Sequence, residues 1–226
     1  MEKLNIVYMG LTEYPKALDI QHKLRERVMN SMADDTLLLL EHPPVLTMGQ
    51  SAEQENVYLG EEQQKKLGVG VYHIDRGGDV TYHGPGQIVG YPIFNLARHG
   101  KDVHAFMLGV QEVFLRLLSR EFGLAPHRED GKYTGIWLDD KKITAFGIHI
   151  RRWTTTHGFA FNVNTDLSHF KWINPCGLSD RGVTSLKELL GEAQDMERLN
   201  KLVAQYFCEV FSMEENVCAL KSLIGS

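Results

Sequence analysis

The stretch from Arg76 to Ile93 reads RGGDVTYHGPGQIVGYPI. Its first twelve residues, Arg76 to Gln87, contain four glycines and one proline, which impose a tight loop whose backbone can approach a ligand closely. From Ile88 to Leu96 the pattern returns to that of a strand. The loop reads either as a structural turn or as a binding segment. It is not a phosphate loop or a dinucleotide fingerprint, because no GK[ST] or GxGxxG follows a strand here.

Working outward, Val69–Ile74 leads into this loop as a strand, and Leu4–Met9, Thr36–Leu40 and Val45–Met48 have strand character before it. Between the first two, Tyr14 to Ala33 reads as a helix, with Thr12 as cap, Pro15 in the first turn and a buried stripe of Ala17, Ile20, Leu24, Val28 and Met32. Asp102 caps a second, long helix ending near Gly123, with Val103, Phe106, Val110, Val113, Phe114 and Leu117 inward. Strands follow at Thr134–Leu138, Lys142–Ile150 and His157–Val163, the first two joined by a turn at Asp139-Asp140. Helices at Ser185–Leu190 and Asp195–Phe211 complete the pattern. Strand and helix periods alternate without a repeat or linker, which predicts one α+β domain over residues 1–226.

The chain of 226 residues is 43% hydrophobic and 23% charged, with a net charge of -5, so bulk nucleic-acid binding is not expected. Basic patches are local: Lys23, Arg25 and Arg27, then Lys141, Lys142, Arg151 and Arg152. The start carries no signal-peptide or transit-peptide pattern, and no apolar run suits a membrane span, so a cytoplasmic protein is expected. Three cysteines without a CxxC pair fit a reducing compartment.

Of these, Cys208 and Cys218 sit in apolar, core-like settings, whereas Cys176 lies in Asn174-Pro175-Cys176-Gly177, on irregular backbone that can present a side chain. A thiol acts as a nucleophile only where a cation, a base or a helix N-terminus favours its thiolate; otherwise it is a small buried hydrophobe. His149 and His157 are placed to lie on adjacent strands. No HExxH, paired Cys/His spacing or EF-hand loop occurs, so no metal or cofactor is expected. Lys142, opening KITAFG, is either an edge charge that discourages aggregation or a partner for a nucleophile.

Taken together, EHPPVLTMGQ (Glu41–Gln50), RGGDVTYHGPGQIVGYPI (Arg76–Ile93), KITAFGIHI (Lys142–Ile150), HGFAFNVNTDL (His157–Leu167) and NPCG (Asn174–Gly177) resemble the lipoyl(octanoyl)transferases. The likeness runs from about Tyr14 to Leu190. It implies a mixed β-sheet with helices packed outside, of the biotin/lipoate protein ligase type. It implies a catalytic pair, Cys176 and Lys142, and an acyl pocket lined by Arg76, Gly77, Gly78, Asp79, Val80, Thr81, Tyr82 and His83, by Ala145, Phe146 and Gly147, and by Gly158, Phe159 and Ala160. It implies an octanoyl-acyl carrier protein as donor and lipoyl domains of 2-oxoacid dehydrogenase complexes and glycine cleavage H protein as acceptors, received by the local basic patches. An ATP-dependent lipoate ligase on the same fold, a papain-like thiol hydrolase and a non-catalytic carrier-binding module are the competing readings. The local signature of a papain-like cysteine is absent.

Overall fold

Strand β1 (Lys3–Leu11) is followed by helix α1 (Tyr14–Met29) and by strands β2 (Thr36–Glu41) and β3 (Val45–Met48). A computed structural model describes residues 2–174 and 181–225 of the chain. Helix α2 (Glu61–Leu67) and strands β4 (Gly70–His73), β5 (Val80–His83) and β6 (Gln87–Ile93) lead to the long α3 (Val103–Phe122). Strands β7 (His127–Glu129), β8 (Gly135–Leu138), β9 (Lys141–Arg151), β10 (Thr154–Asn162) and the short β11 (Gly182–Val183) come next. Helices α4 (Leu186–Leu190) and α5 (Met196–Phe211), strand β12 (Glu214–Val217) and helix α6 (Leu220–Ile224) complete the described chain.

The main sheet runs β12-β1-β2-β6-β10-β9-β8-β7, with β11 added to β9. It is mixed: β1 is parallel to both neighbours, whereas β2, β6, β10, β9, β8 and β7 pair antiparallel in turn. A smaller sheet, β4-β3-β5, is built around EHPPVLTMGQ and the glycine loop. Helices α3 and α5 bury one face of the main sheet, with Phe114, Phe159, Phe161 and Phe207 at its centre. Helices α1 and α6 cover the other face through Ala17, Ile20, Leu24 and Val28 packed on Val89, Tyr91 and Ile93. This is the expected α+β architecture with helices outside a mixed sheet. Among the described residues no helix is long and apolar enough to cross a membrane.

Several local expectations change. Helix α1 ends at Met29, so Met32 is exposed, and its N-cap is Glu13 rather than Thr12. Thr12 instead gives its hydroxyl to the Met9 carbonyl. Asp102 caps α3 through Ala105 N at 2.9 Å and Gly123 ends it in the left-handed conformation, as read, but Val103 is exposed. The segment Arg76–Gln87 is not one loop. Its middle, Val80–His83, is strand β5, paired with β3, because alternating Val80 and Tyr82 find apolar partners under the small sheet. The basic patches are partly neutralised within the chain. Arg25 is buried, Lys23 pairs with Asp19 at 2.7 Å, and Lys141 pairs with Glu188 at 2.9 Å. Arg151 and Arg152 stay exposed at the β9–β10 turn.

Candidate functional site

Between the main sheet and the small sheet lies a cavity of about 830 Å³, within the range of small-molecule sites. Its floor is the β9–β10 pair, where Ala145 faces Ala160 and Gly147 faces Gly158 across the ladder. Alternation along a strand turns the neighbours of these small residues to the other face. Thus the rings of Phe146 and Phe159 pack on Phe114 at centroid distances of 5.8 and 4.8 Å, and close the floor from beneath. The two glycines serve different ends. A Cβ on Gly147 would stand 3.0 Å from Arg76 Cδ and from the Gly77 carbonyl, whereas one on Gly158 would stand 2.1 Å from the Gly90 carbonyl. Gly147 lets the glycine loop lie on the sheet; Gly158 lets β6 and β10 close.

Arg76 anchors that loop from within. It is 8% exposed, and its guanidinium donates to the Thr47 carbonyl at 2.7 Å, to Thr47 Oγ1 at 3.0 Å and to the Gly77 carbonyl at 3.0 Å. Gly77 N donates to the Ile148 carbonyl at 3.1 Å, so this amide is engaged with β9 and is not a donor toward a ligand. Gly78 has φ +86, and Gly49 passes beneath it so closely that a Cβ would stand 2.3 Å from the Gly78 carbonyl. Asp79 closes the turn on Val80 N at 2.7 Å and accepts from Asn56 Nδ2 at 2.9 Å. Val80, Thr81 and His83 also line the cavity, and Tyr82 does not. On β5 Tyr82 alternates away into the small sheet's core, its hydroxyl 2.7 Å from His169 Nδ1.

The inner end is rich in aromatic and imidazole rings. His42 Nδ1 donates to the Thr12 carbonyl at 2.6 Å, which leaves Nε2 to accept from the Tyr91 hydroxyl at 2.7 Å. Burial lowers the His42 pKa to about 4 and, with His42 close by, that of His83 to about 3, so both rings are neutral. His83 Nδ1 donates to Gln87 Oε1 at 2.8 Å, and Gln87 Nε2 reaches Asn162 Oδ1 at 3.0 Å. As the sequence placed them, His149 and His157 lie on adjacent strands and meet, both turning to Asp75. His157 Nε2 is 2.8 Å from Asp75 Oδ1, and His149 Nδ1 is 3.0 Å from the Asp75 carbonyl. Burial outweighs Asp75 and lowers the His157 pKa to about 4.

Lys142 lies at the opposite end. It is not on a sheet edge, since β9 is flanked by β8, β10 and β11. Its ammonium donates to the Thr134 carbonyl at 3.1 Å and stands 5.0 Å from the centroid of the Trp137 ring. Arg181 shares that ring at 4.9 Å and pairs with Glu129 at 2.6 Å. Cys176 lies outside the described residues. The chain on either side of it is anchored at this cavity: Asn174 N donates to the Asn56 carbonyl at 2.9 Å, and Val183 pairs with Lys142. Asn56, Lys142, Arg181 and Val183 all line the wall. Sequence reasoning missed Tyr14, His42, Thr47, Tyr91, Trp137 and Arg181. For His42, Thr47 and Tyr91 a signal existed, because they fall in the quoted Glu41–Gln50 and Arg76–Ile93 stretches.

Comparison with known proteins places this geometry. The chain is 51% identical over 92% of its length to an octanoyltransferase of Caldicellulosiruptor saccharolyticus, covering 89% of that protein. It is 49% identical to the octanoyltransferase of Caldicellulosiruptor bescii, over 97% of this chain and 96% of that one. A bi-partite lipoate protein ligase from Thermoplasma acidophilum superposes with a TM-score of 0.75 at 16% identity, over 99% of this chain and 91% of that one. The biotin protein ligase of Aquifex aeolicus does so with 0.52 at 13%, over 94% and 70%. At these identities the two structures show a shared fold. The model of the lipoyl protein ligase A/B catalytic domain matches residues 13–208, and the chain belongs to that family.

Proposed function

We infer that the protein is an octanoyltransferase of protein lipoylation, an enzyme that moves an octanoyl group from an acyl donor to lipoyl-carrying acceptor proteins. The donor is octanoyl-acyl carrier protein. The acceptor is a lysine in lipoyl domains of 2-oxoacid dehydrogenase complexes and in glycine cleavage H protein, and the setting is cytoplasmic. Residues 1–226 work as one catalytic domain, a reading supported by the return of β12 to pair with β1. The relatives sharing about half of their residues are named octanoyltransferases, whereas the likeness to a ligase is at 16% identity, which favours transfer over ATP-dependent ligation.

The chemistry runs through Cys176. Its sulfur attacks the thioester carbonyl of the donor; the new C–S bond forms as the carrier's C–S bond breaks, and the carrier thiol leaves with a proton. The acceptor amine then attacks the acyl-Cys176 carbonyl, a C–N bond forms, and the cysteine thiol is released. The first exchange is close to neutral in energy, and the amide drives the second step. Lys142 takes the thiol proton or holds the thiolate by charge, and then receives the proton of the amine. The acyl chain lies on the small-residue floor of Ala145, Gly147 and Ala160, beneath the Arg76 loop.

One observation carries this reading: the Lys142 ammonium stands on the cavity wall, and the residues flanking the Cys176 segment attach to that same wall. Incubation with octanoyl-carrier protein in nucleotide-free buffer, followed by intact-protein mass spectrometry, tests it. One octanoyl increment on the enzyme is expected, discharged by an added lipoyl domain. No increment without ATP, and product only with ATP and free octanoate, overturns it.

A further inference from the structure

Asp75 and His157 are 82 residues apart in the chain and meet at 2.8 Å, His157 Nε2 donating to Asp75 Oδ1. Each immediately precedes a segment that lines the cavity: Asp75 leads into the Arg76 loop above it, and His157 into Gly158 on the floor. His157 reaches Asp75 through an irregularity in β10. In the β9–β10 ladder His149 is opposite Thr156, and His157 is opposite Ile148, so regular alternation would turn the two imidazoles to opposite faces. Ile148 does turn away, packing against the core to which Phe159 belongs. His157 instead has φ +57, a left-handed conformation uncommon outside glycine and kept only where the surroundings hold it. Two contacts hold it here. Its amide donates to Gln21 Oε1 of α1 at 2.7 Å, and its ring, 2% exposed, is bonded to the carboxylate.

The pair stands where the roof of the cavity is joined to its floor. On the roof side the loop is tied to the small sheet and its continuation. Arg76 is bonded to Thr47, its carbonyl accepts from Gln50 N at 3.0 Å, and the Gly78 carbonyl accepts from Ser51 N at 3.1 Å. Toward the floor the Gly77 amide reaches the Ile148 carbonyl, His149 the Asp75 carbonyl and His157 the Asp75 carboxylate. The last of these is made to a charged group, and such bonds are about twice as strong as neutral ones. Ile148, the ladder partner of His157, is six residues along β9 from Lys142, about 20 Å at the rise of a strand. The pair is therefore too far away to touch the reacting atoms and acts through the loop.

We propose that His157 and Asp75 are positioning residues for acyl transfer: their hydrogen bond clamps the Arg76–Asp79 loop onto the β9–β10 floor and holds the cavity at the width that grips the acyl chain. This rests on the acyltransferase reading and deepens it. With the clamp cut, the loop keeps its bonds to the small sheet but gains freedom over the floor. The acyl donor then binds more weakly, while the chemistry at the Lys142 end proceeds at its former rate once the site is filled.

The test is steady-state transfer from octanoyl-carrier protein to a saturating lipoyl domain in His157→Gly, Asp75→Ala, the double variant and Asp75→Asn. Glycine adopts positive φ freely, so His157→Gly removes the ring without straining β10. Asp75, with its side chain 45% exposed, tolerates truncation and serves where the other variant does not fold. Each single variant is expected to raise KM for the donor about tenfold, the scale of one lost hydrogen bond to a charged group. A kcat changed by less than about twofold should accompany it, the mark of binding lost equally from ground and transition states. The double variant should be no worse than either single one, because both remove the same interaction. Asp75→Asn keeps an oxygen for the neutral His157 to donate to, and should hold KM within about threefold of wild type. Exchange of the Gly77 amide with solvent should quicken in His157→Gly. An unchanged KM or unchanged Gly77 exchange in folded variants overturns the clamp, as do additive single effects or a fall in kcat at constant KM. A wild-type enzyme that forms no octanoyl adduct would instead sink the acyltransferase reading, leaving the two failures distinct.

Discussion

The Lys142 ammonium stands 5.0 Å from the centroid of the Trp137 ring while donating to the Thr134 carbonyl at 3.1 Å. The ring face attracts a cation, and the carbonyl fixes its direction, so the charge is held at one end of the cavity instead of roaming as a surface lysine would. Two strands share this work. Gly135 on β8 leaves room for the stem, since a Cβ there would stand 2.9 Å from Lys142 Cε.

Lys142→Ala is therefore expected to leave the fold intact and to slow the alkylation of Cys176 by iodoacetamide near neutral pH. Octanoyl transfer falls with it by about 10²–10⁴-fold, the usual reach of a positioned acid–base group. Lys142→Arg keeps a cation but has no usable base at neutral pH. Near-normal half-reactions in Lys142→Arg would leave charge stabilisation as the whole role. Near-normal rates in Lys142→Ala as well, with an unchanged pH profile of alkylation, would remove Lys142 from the mechanism.

Cys176 is expected to be the acylated cysteine. Burial pushes the Cys208 thiol up to about 11, with Glu215 adding to it, and burial also raises Cys218. Both are poor thiolates at neutral pH. Cys176→Ala should abolish the octanoyl mass increment, while Cys208→Ala and Cys218→Ala keep it. A full increment on Cys176→Ala protein would rule out the thioester route drawn here.

The glycines of the floor give a graded test of packing. Gly147→Ala brings a Cβ to 3.0 Å from Arg76 Cδ and the Gly77 carbonyl, so the loop must lift slightly; overpacking of this kind costs about 1–3 kcal/mol. For a chain of this size that is a loss of roughly 2–4 °C in Tm per kcal/mol. Gly158→Ala meets the Gly90 carbonyl at 2.1 Å, and backbone cannot step aside. Calorimetry should rank Gly158→Ala well below Gly147→Ala, and equal Tm values would contradict the close approach of β6 and β10.

How much of this was legible in the sequence depended on whether the deciding contact was local. The period of α3, with its Asp102 cap and Gly123 stop, is written within the helix and was read correctly except at Val103, which is exposed. Strand β5 was hidden because four residues between glycine pairs look like loop until β3 is present to pair with them. The antiparallel β7 and the return strand β12 were missed for the same reason, being short and defined by distant partners. At the site, Arg76, Gly147 and Gly158 announced themselves by residue type in motifs. Tyr14 stood at the start of the resemblance without a role, and its place on the cavity wall comes from the rings of His42, Tyr72 and His83 packed around it. Tyr82 was included with its neighbours, and only the alternation of β5 takes it away from the cavity.

The buried imidazoles should dominate the acid limb of stability. His42 has its folded pKa lowered to about 4 by burial, against an ordinary value of 6.5. Lowering means that the neutral ring is the one the fold accepts, so the unfolded chain binds the proton more readily. The contribution is fully present above pH 6.5 and is lost as pH falls from there toward 4. The loss amounts to about 3 kcal/mol for this one residue when complete. His83 and His157 add to it in the same direction, their folded pKa values lying near 3 and 4. Tm measured against pH should hold steady above about 6.5 and decline steeply below it. His42→Gln keeps polar atoms near the Thr12 carbonyl and the Tyr91 hydroxyl but takes up no proton, so it should lower Tm at pH 7 and flatten the decline between pH 6.5 and 4. An identical slope in the variant would show that the His42 ring is solvated enough to titrate freely, and the tautomer assigned to it, donating to Thr12 and accepting from Tyr91, would have to be withdrawn.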